Sequence, residues 1–136
     1  MLIPLKTQLL HSCDDLFAAL DSALKRKKET LKNNDILIIA SKVVAYSQGL
    51  LVPVKNNKEF RELIRKEADK VLIEGDMVIT LKNQILIPNA GIDKSNTPEG
   101  QAVLWPKDPF KSAQQIRRQL MKDYKLKKIG IVLSDS

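Results

Sequence analysis

The sequence predicts an α+β fold with irregular α/β connections, in which a mixed sheet containing a hairpin packs against about three helices. Three observations lead there. Two apolar runs rich in β-branched residues, Asp35-Ile-Leu-Ile-Ile-Ala40 and Lys128-Ile-Gly-Ile-Val-Leu133, have strand length. Three amphipathic stretches carry helix-start signals or apolar stripes at helical spacing. Between them, Met77-Val-Ile-Thr-Leu81 and Gln84-Ile-Leu-Ile-Pro88 flank Lys82-Asn83 as the arms of a hairpin, which interrupts the strand–helix alternation of a doubly wound sheet.

Taken in chain order, residues 1–6 read as a short strand. Ser12-Cys-Asp-Asp15 supplies a cap and early acidic residues for a helix over about 14–28. Leu16, Phe17, Leu20 and Leu24 recur there at helical spacing, and Lys25-Arg-Lys-Lys28 complements the negative end of the helix dipole. Asn33-Asn34 breaks the chain before the strand 35–40, which is expected to be central and buried on both faces. A second helix is expected from Lys58 to about Leu72, with Phe60, Leu63, Ile64 and Ala68 as its stripe. Asp108-Pro109 is a cap followed by proline in the first helical position, opening a helix to about Tyr124 that buries Phe110, Ala113, Ile116 and Leu120. Trp105-Pro106 reads as an apolar anchor ahead of it. The strand from Lys128 ends in Ser134-Asp135-Ser136, the kind of polar strand end that forms the lip of a site.

The 136 residues suit a single domain with an aliphatic core, since 43% are apolar but only 4% aromatic. That scarcity of rings disfavours a binder that stacks nucleobases. Lys plus Arg exceed Asp plus Glu by 23 − 16 = +7. The excess is compatible with nucleic acid, an acidic membrane surface or a polyanionic small molecule such as a nucleotide, and its even spread along the chain gives no basic tail or arm. One cysteine, Cys13, and one histidine, His11, exclude an intrachain disulfide and a Cys/His zinc site within one chain. With no apolar run of membrane-spanning length, a cytoplasmic protein is expected.

Three constellations can carry chemistry. Ser41-Lys42 leaves the end of an apolar strand, where a hydroxyl and an ammonium can meet phosphate oxygens, although neither Gly-rich phosphate-loop pattern occurs in the chain. The plain alternative is a helix cap and a solvated lysine. In the turn-rich segment Pro88–Gly100, Asp93 lies among Ser95 and Asn96, an oxygen-rich group suited to Mg²⁺ or Mn²⁺; the alternative is a turn in which Asp93 and Asn96 bond their own backbone. Ser134-Asp135-Ser136 could add a second carboxylate, or be no more than a solvated end. His11 and Cys13 lack an orienting group for nucleophilic catalysis, so no catalytic residue is assigned. Arg117-Arg118 reads as a solvated helix face.

The strings Asp35-Ile-Leu-Ile-Ile-Ala-Ser-Lys-Val-Val44, Asn89-Ala-Gly-Ile-Asp-Lys-Ser-Asn96, Gly100 through Leu104-Trp-Pro-Lys-Asp-Pro109, Ser112-Ala with Ile116-Arg, and Ile131-Val-Leu-Ser-Asp-Ser136 together resemble the coenzyme F-420 gamma-glutamyl ligase family. The Asn-Ala-Gly-Ile-Asp-x-Ser-Asn string is the specific part. The resemblance implies a GTP- and divalent-metal-dependent ligase, and a homodimer, that joins the amine of L-glutamate to a carboxylate of a deazaflavin coenzyme precursor through an acyl phosphate. It implies that Asp93 and Asp135 ligate Mg²⁺ or Mn²⁺ beside the Ser136 hydroxyl, and that Ser41, Lys42 and Asn96 face the nucleotide. Residues 1–136 resemble the amino-terminal part of the family, whose carboxyl-terminal part is expected to be absent. Two local departures stand out: Ala45-Tyr-Ser-Gln-Gly49 replaces the family's Ser-Lys-x-Glu-Gly, and Lys6-Thr-Gln-Leu-Leu10 replaces a Gly-Leu-Pro-type segment. The second expectation is a non-catalytic relative, or half of a split enzyme, acting as a binding or dimerisation module. A basic nucleic-acid-binding domain ranks third.

Overall fold

The computed structural model describes residues 1–135. Its first helix, α1 (Leu16–Lys27), starts at Asp15, whose carboxylate accepts the Phe17 and Ala18 amides. The cap is therefore Asp15, the last residue of the run expected to supply it. The helix stops where Lys28 turns left-handed at φ 56°. Leu16, Leu20, Ala23 and Leu24 form its buried face. Residues 1–6, expected as a strand, pair with no strand among the described residues and are coil, tied to α1 where Arg26 donates to the Lys6 carbonyl at 2.8 Å.

Strand β1 (Ile36–Ala40) runs parallel to β7 (Gly130–Ser134), in a register from Ile36 opposite Gly130 to Ala40 opposite Ser134. The expectation that β1 is buried on both faces fails. Leu37 and Ile39 join α1 and the helix α4 (Pro109–Asp123) in one core with Ile116, Leu120 and Ile129, but Ile36 and Ile38 remain 68% and 57% exposed. The pair β1–β7 is covered on one side only, so alternation along the strand sends every second side chain outward.

A short helix α2 (Ser41–Ser47) follows β1 directly. Strand β2 (Leu51–Pro53) pairs antiparallel with β6 (Gln101–Val103), two three-residue elements with no pattern of their own in the sequence. Helix α3 (Asn57–Glu67) is capped by the Asn56 side chain and ends earlier than expected, because Lys70–Glu74 forms β3 against β4 (Val78–Lys82). Val71 and Ile73 favour that strand over a further helical turn. The predicted hairpin is present as β4 and β5 (Ile85–Pro88). Its turn residues are Asn83 and Gln84, at φ 51° and 63°, one position beyond the pair read from the sequence.

The α+β class thus holds, with strands divided into a parallel pair, an antiparallel pair and a three-stranded meander. A second core, centred on Val54, Ile64, Val78, Ala90, Ile92 and Ala102, joins the meander, α3 and the β2–β6 pair. In α4 the Asp108 carboxylate accepts the Lys111 amide and Pro109 follows it, as expected, but Phe110 is 70% exposed; the buried face is Pro109, Ser112, Ile116 and Leu120. Among the described residues no helix is long and apolar enough to cross a membrane.

Candidate functional site

The segment Asn89–Asn96 is held at its start by the edge of the meander. Thr80, fully buried, donates its hydroxyl to the Ile87 carbonyl at 2.6 Å and accepts the Ala90 amide at 2.9 Å. The Asn89 side-chain oxygen accepts the Val78 amide at 3.1 Å. These bonds fix a short 3-10 turn over Asn89–Gly91, with φ of 52°, 53° and 73° at successive residues. At Gly91 the backbone lies against the indole of buried Trp105, so a Cβ there would sit 2.6 Å from Cε3. Only glycine combines that close approach with a left-handed φ. Trp105 is the anchor its sequence position suggested.

Asp93 is then clamped to β6, its amide donating to the Val103 carbonyl at 3.0 Å and its carbonyl accepting the Val103 amide at 2.9 Å. Its carboxylate accepts three donors. One oxygen accepts the Ser95 amide at 2.7 Å; the other takes the Ser95 hydroxyl at 2.9 Å and the Lys42 ammonium at 2.8 Å. Lys42 also donates to the Ser95 carbonyl and, at 3.2 Å, to the Ser95 hydroxyl. Partial burial acts to raise the Asp93 pKa, but the Lys42 ammonium and the Ser95 amide and hydroxyl together outweigh it, holding the carboxyl below the ordinary carboxylate range.

The structure therefore joins the first two constellations. Lys42 projects from the first turn of α2, at the carboxyl end of β1, onto the carboxylate of the Asn89–Asn96 segment. The turn that Asp93 makes with its own backbone is present as well, so the structural alternative and the charged cluster coexist at one residue. Ser95, noticed only as part of an oxygen-rich run, is the residue that both charged groups bond. Asn96 is exposed and left-handed at φ 53°, three residues beyond the Asp93 clamp. Ser41 is 4% exposed and faces the interior.

Asp135 follows Ser134, which pairs with Ala40, so it leaves the sheet beside the strand end from which Ser41 and Lys42 depart. The Ser134 hydroxyl donates to the Asp135 carbonyl at 3.0 Å. Ser136 lies outside the described residues. Among those described, no cluster of three or more His, Cys, Asp or Glu could hold a metal by itself. Any cation here would rest on one or two carboxylates and complete its shell with hydroxyl, water or phosphate oxygen. Hard divalent ions such as Mg²⁺ tolerate that arrangement, and an all-oxygen donor set suits them.

Elsewhere, His11 lies 3.5 Å from Asp14 and Cys13 is an exposed free thiol. Cys13 borders a cavity of about 390 Å³ between the start of α1, the end of α2 and α4, where Gln48 donates to the Ser112 hydroxyl at 2.9 Å. Nothing in the sequence pattern marks that cavity, because its lining is drawn from three helices. Arg117 donates to the Ile129 carbonyl, tying α4 to β7, while Arg118 is exposed.

The chain matches a protein-family model described as F420-0:Gamma-glutamyl ligase over residues 4–136. It is 30% identical over 124 residues to a coenzyme F420:L-glutamate ligase of Methanopyrus kandleri, covering 78% of this chain and 49% of that relative. The protein of the same name in Archaeoglobus fulgidus is 25% identical over 145 residues, covering 94% of this chain and 56% of the relative. That of Methanococcus maripaludis is 32% identical over 127 residues, covering 80% and 50%. The chain spans about half the length of the curated relatives it matches.

Proposed function

This chain belongs to the F420-0:gamma-glutamyl ligase family, and from that premise we propose that it supplies the nucleotide- and metal-facing part of a GTP-dependent ligase adding L-glutamate to a deazaflavin coenzyme precursor. The single observation that carries the reading is the Lys42–Asp93–Ser95 cluster, built at a strand end from residues far apart in the chain. Relatives with 25–32% identity are named for joining L-glutamate to coenzyme F420, and the cluster has the residue types that such a step requires.

A carboxylate resists amine attack until it is phosphorylated, so the reaction needs a γ-phosphoryl donor held beside an acceptor carboxylate. The acceptor oxygen forms a bond to the γ-phosphorus as GDP leaves; the glutamate amine then attacks the acyl carbon and inorganic phosphate departs. Within this chain, Asp93 and Asp135 would hold Mg²⁺ or Mn²⁺ with the Ser136 hydroxyl, and Ser41, Lys42 and Asn96 would face the nucleotide. When bound, the divalent ion neutralises phosphate charge and orients the transferring group. The Lys42 ammonium now occupies the Asp93 oxygen that a cation would take. With a cation on that oxygen Lys42 would be available to meet phosphate, and its ammonium holds the carboxylate ionised and oriented. Ser41, buried at the strand end, would face the nucleotide only from beneath Lys42. Cytoplasmic location and a homodimer belong to the same reading.

The saturation of Asp93 by protein donors favours a second reading, in which the cluster only braces the loop and the chain is a non-catalytic binding or dimerisation module. Calorimetric titration with GTP in the presence and absence of Mn²⁺ separates the two. The ligase reading requires metal-dependent binding that falls by about tenfold or more in Asp93→Ala and in Lys42→Ala, the loss of one charge-assisted contact. Absence of binding by the wild type, or binding unchanged in both variants, leaves the brace as the role of these residues.

A further inference from the structure

The cavity of about 390 Å³ between α1, α2 and α4 has a wall unlike the rest of the molecule. The chain carries 23 Lys and Arg, yet no Lys, Arg or His lines this cavity, while Asp14 and Asp15 both do. The donors along the wall are turned toward the protein. Ser47 donates its hydroxyl to the Val44 carbonyl at 2.7 Å, Gln48 donates to the Ser112 hydroxyl at 2.9 Å, and Gln119 donates to the Asp123 carboxylate at 2.8 Å. What remains is rich in acceptors. Among the described residues the side-chain carbonyl oxygens of Gln48 and Gln119 receive no donor, and Asp14 and Asp15 each keep one carboxylate oxygen without one. Phe17, Val44 and Ile116 supply apolar surface beside them.

We propose that this cavity binds an organic cation, an ammonium or guanidinium group carried on an apolar body. A wall of acceptors with two carboxylates is satisfied by a group that donates hydrogen bonds and carries positive charge, and the apolar surface holds the remainder of the ligand. The volume is that of a metabolite site. An anion is disfavoured twice: it would face Asp14 and Asp15, and the positive end of the α1 dipole is already answered by the Asp15 cap. Every ligand of the ligase reading, a nucleoside triphosphate, an amino dicarboxylate and an acceptor carboxylate, is anionic. The cavity therefore belongs to none of them, and the inference stands apart from that reading. With about 100° of rotation per residue, Val44 and Ser47 lie on the side of α2 away from Lys42, so one short helix separates a cationic face from an acceptor-lined one.

The test is titration of the wild-type protein, followed by amide chemical shifts at about 0.15 M salt so that exposed charges are screened. The probes are phenethylamine and agmatine as cations, phenethyl alcohol as a neutral counterpart and phenylacetate as an anion. The proposal requires saturable binding of at least one cation that shifts Cys13, Gln48 and Gln119, with the alcohol weaker by about tenfold and phenylacetate without a saturable response. Gln115, exposed on α4 at the rim of the cavity, allows the sign of the wall to be changed without disturbing a core. Gln115→Lys should weaken the cation by about tenfold or more, and Gln115→Glu should tighten it. Unchanged dispersion of the remaining amide shifts verifies that both variants are folded. No saturable response to either cation, shifts confined to other residues, alcohol binding as tight as that of the amine, or a preference for phenylacetate overturns the proposal. Equal affinity for the cation in the two Gln115 variants overturns it as well.

Discussion

Gly91 concentrates two constraints on one residue, a φ of 73° and an indole 2.6 Å from where a Cβ would lie. Gly91→Ala should therefore lower stability by about 2–3 kcal/mol, read as a drop in the urea midpoint, because the backbone is strained and Trp105 cannot retreat from its buried position. Asp93 makes a prediction in pH. Its folded pKa is depressed, so its stabilisation is fully present above the unfolded value near 3.9 and is lost as pH falls through the lower folded value. Asp93→Asn should thus cost about 1 kcal/mol at neutral pH, a gap that narrows as pH falls below the ordinary carboxylate range, in paired denaturation curves. Asp93 and Lys42 are each legible in the sequence as chemistry. Their pairing is not, since it depends on where a strand end and a distant loop meet, and Ser95 gains its place only from that meeting.

Elements were legible where a local signal fixes them. The Asp108-Pro109 cap, the α1 stripe and the meander's hairpin follow from side-chain chemistry within a few residues. The β2–β6 pair did not, because three-residue strands carry no periodicity, and α3 was overextended because Val71 and Ile73 pair with a strand the sequence does not point to. The hairpin turn was misplaced by one residue, and its left-handed Gln84 suggests a test. Gln84→Gly places Asn-Gly at two positive-φ positions and should raise stability by about 0.5–1 kcal/mol, seen as a higher melting temperature. In α4, Leu120 is 1% exposed within the first core, so Leu120→Ala should cost about 3–4 kcal/mol in chemical denaturation. Phe110→Ser in the same helix should be nearly neutral, because the ring is already in water.

At the scale of the molecule, the two larger cores are bridged by a smaller cluster of Ala45, Tyr46 and Val103 along the path from β1 through α2 to the β2–β6 pair, and the Lys42–Asp93–Ser95 cluster sits beside that path. The parallel register of β1 and β7 brings Ser134-Asp135 to the strand end from which Ser41-Lys42 depart, and β6 holds Asp93 against Lys42 from the other side. Order along the chain conceals this convergence, because the three segments lie at residues 41–42, 93–95 and 134–135. What the sequence offered was the residue types and a family likeness. The packing of the two cores determines which of those residues share a surface.

Paramagnetic broadening by substoichiometric Mn²⁺ tests, without reference to activity, the proposal that the loop carboxylate and the one following β7 serve a single divalent cation. Amide resonances of residues 93–96 and of 133–135 should broaden together and recover together when excess Mg²⁺ is added, with both effects lost in Asp93→Ala. Broadening of one segment without the other, or of neither, would contradict the shared site.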